Sequence, residues 1–325
     1  MKSEPIEVPS SSRINLLVSM NPSFISSDGA EVLGRIIPSF AALGITSIQL
    51  YFMEALKTDQ KLVSYFPPAD FLGLRFQDDY AKTRIDWALV FGGDGALLWA
   101  HKSLMSQPQV VYFSVKTGNL GVLTSFMLDD MPRLFEAMAA SIRGAVDKSR
   151  LCVKRYHRIR AVILDSQRQV VRQFIAINEI VLFRTTNYCP KFSLTCNGTG
   201  LLKIGADGLI ICTPVGSTAY NSSVGGPTLM PYLPNYVLSA IAPFGINFRP
   251  FVFGPSDVLT IALDHTSVSK EFKTVQDSNN ETVVREGEVL EIRMEETPEL
   301  RLAGFFRNFQ EEWGEKIKPI FKWDT

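Results

Sequence analysis

Three short strings in this chain combine residue types that do chemistry with backbone that can come close to a ligand. The first is Gly92-Gly93-Asp94-Gly95, set between an apolar run and a helix-forming run. Glycines there reach positive φ and let a bound group approach the backbone. A helix starting at this point offers free N–H groups and the positive end of its dipole, both suited to phosphate. Gly92, Gly93 and Gly95 are therefore candidate phosphate contacts. Asp94 is the odd member. A carboxylate beside phosphates is unfavourable unless it accepts a proton from an attacking hydroxyl or helps hold a metal ion carried by the phosphates. The competing reading is a plain β-turn with aspartate in a favoured slot.

The second string, Asn178-Glu179, interrupts the apolar run 176–182. Polar residues there must face solvent or be satisfied by a partner. An amide and a carboxylate match ribose hydroxyls and an adenine edge, although a β-bulge or an exposed turn would explain them too. The third string runs from Ala206-Asp207-Gly208-Leu209 through Thr213-Pro214-Val215-Gly216-Ser217-Thr218-Ala219-Tyr220, followed by Gly225-Gly226-Pro227. It reads as strand, turn and a hydroxyl-rich helix start. Ser217 or Thr218 could cap that helix, and its N–H groups could receive a polar ligand. The Tyr220 ring could stack or hydrogen-bond. The alternative is a strand-turn-helix whose small residues serve packing alone.

Other chemistries find little support. Neither G-x-G-x-x-G nor G-x-x-x-x-G-K-[ST] occurs, which argues against a standard dinucleotide dehydrogenase and a P-loop ATPase. Lys+Arg and Asp+Glu balance at 33 each. No global positive field draws in nucleic acid or an anionic membrane, so a phosphate must be held by a local device. The 4 cysteines include no C-x-x-C pair and the 3 histidines are scattered, so no metal site of protein-only origin is expected. Residues 1–12 are polar, read as a flexible N-terminus, and lack the apolar core of a secretory signal. With unpaired thiols, this points to the cytoplasm. Residues 209–248 carry no charge, but prolines and glycines from Pro214 to Pro243 rule out a spanning helix. The stretch reads as backbone buried in a crevice or a subunit interface.

The elements that must position these strings change character along the chain. In the first half, short apolar strands (14–20, 47–52, 87–91, 110–114) alternate with helices (28–43, 96–105, and one from Asp129 or Asp130 to about 144). A loop carries Pro67 and Pro68. That alternation indicates a doubly wound, mostly parallel α/β domain. The second half is β-rich, with strands over 158–164, 170–178, 180–183, 192–196, 209–212, 257–263 and 289–294. Helix is expected only over 218–224 and 233–241. The division is 13–147 for the α/β domain, 148–300 for a β-sandwich-like domain, and 301–325 for a segment returning to the first domain, with a strand over 300–305.

Taken together, the strings resemble the NAD kinase family: G-G-D-G, then N-E, then D-G-L-I, T-P-x-G-S-T-A-Y and G-G-P, in the family's order. Gly118-Asn119-Leu120-Gly121-Val122-Leu123-Thr124 is similar to the family's G-x-L-G-F-L-T segment, and Arg249-Pro250 to a late R-P pair. The resemblance covers roughly 88–253. It implies an active site between an α/β domain that binds the phosphate donor and a β-rich domain that binds NAD. Asp94 would orient or deprotonate the 2′-hydroxyl of the adenosine ribose. Gly95, Asn178, Glu179, Asp207, Thr218, Ala219 and Tyr220 would contact NAD, and the glycines of the first string would contact phosphate. ATP with magnesium, or polyphosphate in some members, would be the donor, and a homodimer or homotetramer the assembly. The chain departs from the pattern at Ala96 (usually Thr), Val122 (usually Phe), Val215 (commonly Thr) and Lys116 (often Asn in bacterial relatives). G-G-D-G is also shared with diacylglycerol and sphingosine kinases, so a lipid kinase is a rival reading. A member that binds NAD without turnover is another, and a nicotinamide-dependent oxidoreductase a third.

Overall fold

A computed structural model describes residues 4–6, 14–20, 48–52, 75–76, 83–118, 121–144, 151–245, 247–305 and 309–321. The helix expected over 28–43 and the loop at Pro67-Pro68 lie outside them. The chain divides into two compact units, Met1–Arg155 with Leu300–Thr325, and Tyr156–Glu299.

The first unit holds a parallel sheet. Its strand order is Arg75–Phe76, Ile48–Phe52, Ile14–Met20, Trp87–Gly92, Val111–Lys116. Residues Arg301 and Leu302, within the long strand Val289–Phe305, pair in parallel with Val111 and Tyr112. Ile14–Met20 and Trp87–Gly92 are buried along almost their whole length, as expected for parallel strands covered on both faces. Trp87, Phe113, Phe126 and Leu134 join one core. The chain moves outward from Ile14–Met20 on one side, then returns to build on its other side. The carboxyl end of Trp87–Gly92 therefore lies at a topological switch point, where open α/β sheets bind ligands. The helix Asp94–Ser103 follows directly. The later helix, Met131–Ile142, has Pro132 in its first turn. Asp130 does not cap it by side chain; its Oδ2 accepts from the Met127 N–H at 2.8 Å.

The second unit is antiparallel and bears out the sandwich-like expectation. One sheet runs Phe251–Phe253, Tyr236–Pro243, Thr199–Cys212, Glu179–Arg184, Glu271–Gln276, Asn279–Arg285. The other starts from the same long strand, whose first half pairs with Lys191–Cys196, then Leu259–Leu263, then Val289–Phe305. One strand thus serves two sheets, as in packed β-sandwiches. Ile180, Phe192, Leu209, Leu259, Phe272 and Ile292 fill a shared core.

Residues 233–241 are not helical: Tyr236–Pro243 is a strand between two neighbours, and its apolar run has no period that separates helix from strand. The helix expected over 218–224 is only a 3-10 turn, Gly216–Thr218, and one helical turn, Tyr220–Ser223. The uncharged stretch is buried largely because Leu209–Cys212 and Tyr236–Ala240 are interior strands. The two strands expected at 289–294 and 300–305 are one, and a helix, Phe309–Phe321, follows. Among the described residues, no helix is long and apolar enough to cross a membrane.

Candidate active site

In the first unit, Gly92 ends its strand at φ 150°, a conformation open only to glycine. Asp94 is the first helical residue and Gly93 precedes it without a side-chain cap. The first intrahelical bond is that of the Ala96 N–H to the Gly93 carbonyl at 3.1 Å, so the Asp94 and Gly95 amides point out of the helix start. A Cβ on Gly95 would meet nothing within 4 Å. Packing among the described residues therefore does not demand glycine there, whereas a close ligand would.

Asp94 is fixed from a distance. Its Oδ2 accepts from the Val122 N–H at 2.8 Å and its Oδ1 from the Leu123 N–H at 3.0 Å. Both donors lie in the string similar to G-x-L-G-F-L-T, which gives that string a structural reason. Each carboxylate oxygen keeps a second lone pair for a hydroxyl. The Val122 side chain is itself buried. Close by, Thr124 Oγ1 is buried with no hydrogen-bond partner among the described residues, 2.3 Å from where a Gly121 Cβ would stand; Asp94 Oδ1 is 3.4 Å from the same point. Lys116 falls opposite Gly92 in the parallel register, so a cation sits at the same strand end.

Sequence reasoning missed a second charged group in this unit. Lys154 and Lys316 share the carboxylate of Glu312, with Lys316 at 3.0 Å. Burial lowers the pKa of Lys316, against the pull of Glu312, and Asp94 is among the charges that raise it again. Burial pushes Glu312 up, but Lys316 and Lys154 outweigh it and hold it below the usual carboxylate range. Its signal was the Glu312–Lys316 spacing of four on a helix, in a segment not read as helical.

In the second unit, Ile177 and Asn178 carry the chain from one sheet to the other, between Val170–Ala176 and Glu179–Arg184. Glu179 is 5% exposed. Burial, with Asp277 adding like charge, pushes its pKa up to about 8, against a hydrogen bond from the Tyr220 backbone. Asn178 Oδ1 and Glu179 Oε2 are buried with no hydrogen-bond partner among the described residues. Such groups are costly unless something satisfies them. Thr213 ties this turn to the third string: its Oγ1 donates to the Ile177 carbonyl at 2.6 Å and accepts from the Gly216 N–H at 3.1 Å. Gly216 packs so closely that a Cβ would lie 2.0 Å from the Asn178 carbonyl oxygen.

The third string therefore lies beside the second. Contrary to the expectation from sequence, neither Ser217 nor Thr218 caps a helix. Their hydroxyls turn back to the Pro214 and Val215 carbonyls at 2.6 and 3.1 Å, because the helix that follows is a single turn. Val215 is buried. Ala219 is half-buried, while Tyr220 is exposed and stacks on Phe183, ring centroids 6.3 Å apart. Asp207 pairs with Arg184 at 3.2 Å. Gly226 has a packing role: a Cβ there would meet Asn221 Oδ1 at 2.1 Å. The structure thus brings Asn178, Glu179, Gly216 and Tyr220 together, and separately gathers Gly92–Gly95 with Val122 and Leu123. Among the described residues, no cluster of three His, Cys, Asp or Glu is placed to hold a metal ion by itself.

Comparison with known proteins gives the family. Residues 177–301 match the model of the ATP-NAD kinase C-terminal domain. The chain is 33% identical to the NAD kinase of Paracidovorax citrulli over 183 residues, which is 56% of this chain and 57% of that protein. It is 32% identical to the NAD kinase of Gemmatimonas aurantiaca over 239 residues, 71% of this chain and 78% of that one. Its fold is that of the yeast NADH kinase crystallised with NADH, at a TM-score of 0.81 and 17% identity over 99% of this chain and 94% of the other. The likeness to the Gemmatimonas aurantiaca protein extends well beyond the matched C-terminal domain, and the chain belongs to the NAD kinase family.

Proposed function

We propose that the protein transfers the γ-phosphoryl group of ATP, entering as its magnesium complex, to the 2′-hydroxyl of the adenosine ribose of NAD, giving NADP. The observation that carries this reading is the Asp94 carboxylate, anchored by two backbone N–H groups at a helix start with an outward-facing Gly95. The first unit, in this reading, binds the donor. Gly92, Gly93 and Gly95 lie along its phosphates with Lys116 offsetting charge, and the magnesium is carried by the phosphates rather than by protein ligands. The second unit binds NAD. The unpartnered Asn178 Oδ1 accepts from a ligand hydroxyl or amino group, Glu179 Oε2 meets a second polar group, and Tyr220 offers an exposed ring. Asp207, Thr218 and Ala219 add contacts.

Phosphoryl transfer draws its rate mainly from positioning and charge neutralisation. Asp94 takes the proton of the 2′-hydroxyl as its oxygen bonds to the γ-phosphorus, and ADP leaves with the electrons of the broken P–O bond. The two amides fix the carboxylate so that no reorganisation is needed at the moment of attack. Ala96 leaves the helix start without a hydroxyl, so donor contacts rest on amides and Lys116. The assembly is proposed as a homodimer or homotetramer, in the cytoplasm.

The test is NADP formation from NAD, and NADPH formation from NADH, with ATP and magnesium and again with polyphosphate. Asp94→Asn should lower kcat by roughly 100- to 10,000-fold, the range for a general base, with little change in NAD binding by calorimetry. Equal turnover in Asp94→Asn would remove Asp94 from the chemistry. Binding without turnover in the unmutated chain would make it a non-catalytic member.

A further inference from the structure

Asp277 stands about 100 residues from Asn178 and Glu179 in sequence, yet its side chain holds their turn. The strands Glu271–Gln276 and Asn279–Arg285 are joined only by Asp277 and Ser278, at φ 42° and 59°. Positive φ at both central residues is the geometry of a tight hairpin turn that favours Asn, Asp and Gly. From this turn the Asp277 carboxylate accepts three backbone N–H groups, from Ile177 at 2.9 Å, Asn178 at 2.8 Å and Glu179 at 3.1 Å. The Asp277 N–H donates in return to the Glu179 carbonyl at 3.0 Å. Next to it, the Gln276 side chain donates to the Ile175 carbonyl.

A hairpin alone would be served as well by asparagine. Aspartate adds an anion lodged against the backbone of Glu179, another acid. Among the described residues, the groups that act on the Glu179 carboxyl are the Asp277 carboxylate, the Cys212 thiol of the neighbouring strand and the Tyr220 backbone N–H. Neither side chain is cationic. A second full negative charge on Glu179 is therefore opposed from the hairpin side and not offset from the strand side. We infer that Asp277 is a positioning residue for the dinucleotide substrate, acting through Asn178 and Glu179 and setting the charge state in which Glu179 meets it. The inference rests on the reading of Asn178 and Glu179 as substrate contacts.

The test is steady-state kinetics of Asp277→Asn, which suits the turn, against NAD and against ATP, over a pH range spanning Glu179's value of about 8. Asparagine removes the charge and one of the two acceptor oxygens. The KM for NAD should rise about tenfold, the size of one lost charge-assisted hydrogen bond. The kcat and the KM for ATP should change little. The pH inflection in the KM for NAD should move to lower pH, and it should be absent in Glu179→Gln with or without the Asp277 change. A parallel loss in all constants with the inflection unmoved would mean a purely structural hairpin and overturn the inference. Asn178→Ala and Glu179→Gln separate the two failures. If neither alters the KM for NAD, the substrate reading falls and the inference with it. If they do and Asp277→Asn does not, only the inference falls. Should Asp277→Asn not fold, a carboxyl NMR titration of the unmutated chain decides. Glu179, assigned by its missing signal in Glu179→Gln, must titrate well above an ordinary glutamate with a second step coupled to Asp277; a single ordinary step overturns the inference.

Discussion

At the scale of single residues, burial governs what Glu179 does to stability as well as to binding. Its ordinary value is 4.5 and its folded value is about 8, so the folded state holds a proton there that the unfolded chain has released. The stabilisation is complete below 4.5 and is lost progressively as pH rises through about 8. The melting temperature should therefore fall across that window, and Glu179→Gln, which cannot ionise, should flatten the fall; an unchanged pH dependence in Glu179→Gln would assign the loss to other groups. Burial also raises the pKa of Asp277, against three N–H groups that lower it, so its effect on stability has the same sign. Most of the residues that matter here stood out in the sequence, because Asn178, Glu179 and Asp94 are polar residues set against apolar or glycine neighbours. Asp277 did not. It sits among Gln276, Ser278 and Asn279, where one more polar residue carries no signal.

At the scale of elements, the close approach of two backbones fixes the second unit's site. Gly216 starts the Gly216–Thr218 turn and lies against the Asn178 carbonyl, where a Cβ would stand 2.0 Å from its oxygen and 2.4 Å from its carbon. Backbone cannot yield as a side chain tip can, so Gly216→Ala must push the 177–179 turn off its Asp277 and Thr213 anchors. We expect a loss of roughly 1–3 kcal/mol, the range for overpacking a tight site, read as a lower denaturation midpoint, together with a raised KM for NAD. An unaltered midpoint would show that the turn has slack. Gly208 has the same role in its own strand, where a Cβ would stand 2.1 Å from the Leu182 carbonyl oxygen. Both glycines were noticed in the sequence within a binding string, and the structure shows that they also serve packing. The parallel strands were legible because burial on both faces leaves continuous apolar runs. Glu271–Gln276 and Asn279–Arg285 were not, since charged residues such as Glu271, Lys273, Glu281 and Arg285 interrupt their apolar pattern and the Asp277-Ser278 turn lacks a glycine.

At the scale of the molecule, the chain leaves the first unit within Leu151–Leu164 and re-enters it within Val289–Phe305. Leu300, Leu302, Ala303 and Phe305 are buried there, Arg301 donates to the Gln109 carbonyl at 2.9 Å, and Trp313 and Ile317 follow in the last helix. Each large apolar side chain contributes about 1.5–3 kcal/mol, so together they match the roughly 5–15 kcal/mol that hold a domain. A chain ending at Glu299 should therefore lose kinase activity and the cooperative melting of the first unit; retention of both would show the segment to be dispensable. What the sequence determined by itself was whatever depends on local pattern: alternation of strand and helix, glycines where φ must be positive, polar residues breaking apolar runs, and the family these spell out. What only tertiary structure decided was which distant groups satisfy them. Asp94 is oriented by the amides of Val122 and Leu123, Asn178 and Glu179 by Asp277, and Lys154 by Glu312. Hydrogen bonds and charges act over a few ångströms of space regardless of separation along the chain, so no local window of sequence contains both partners.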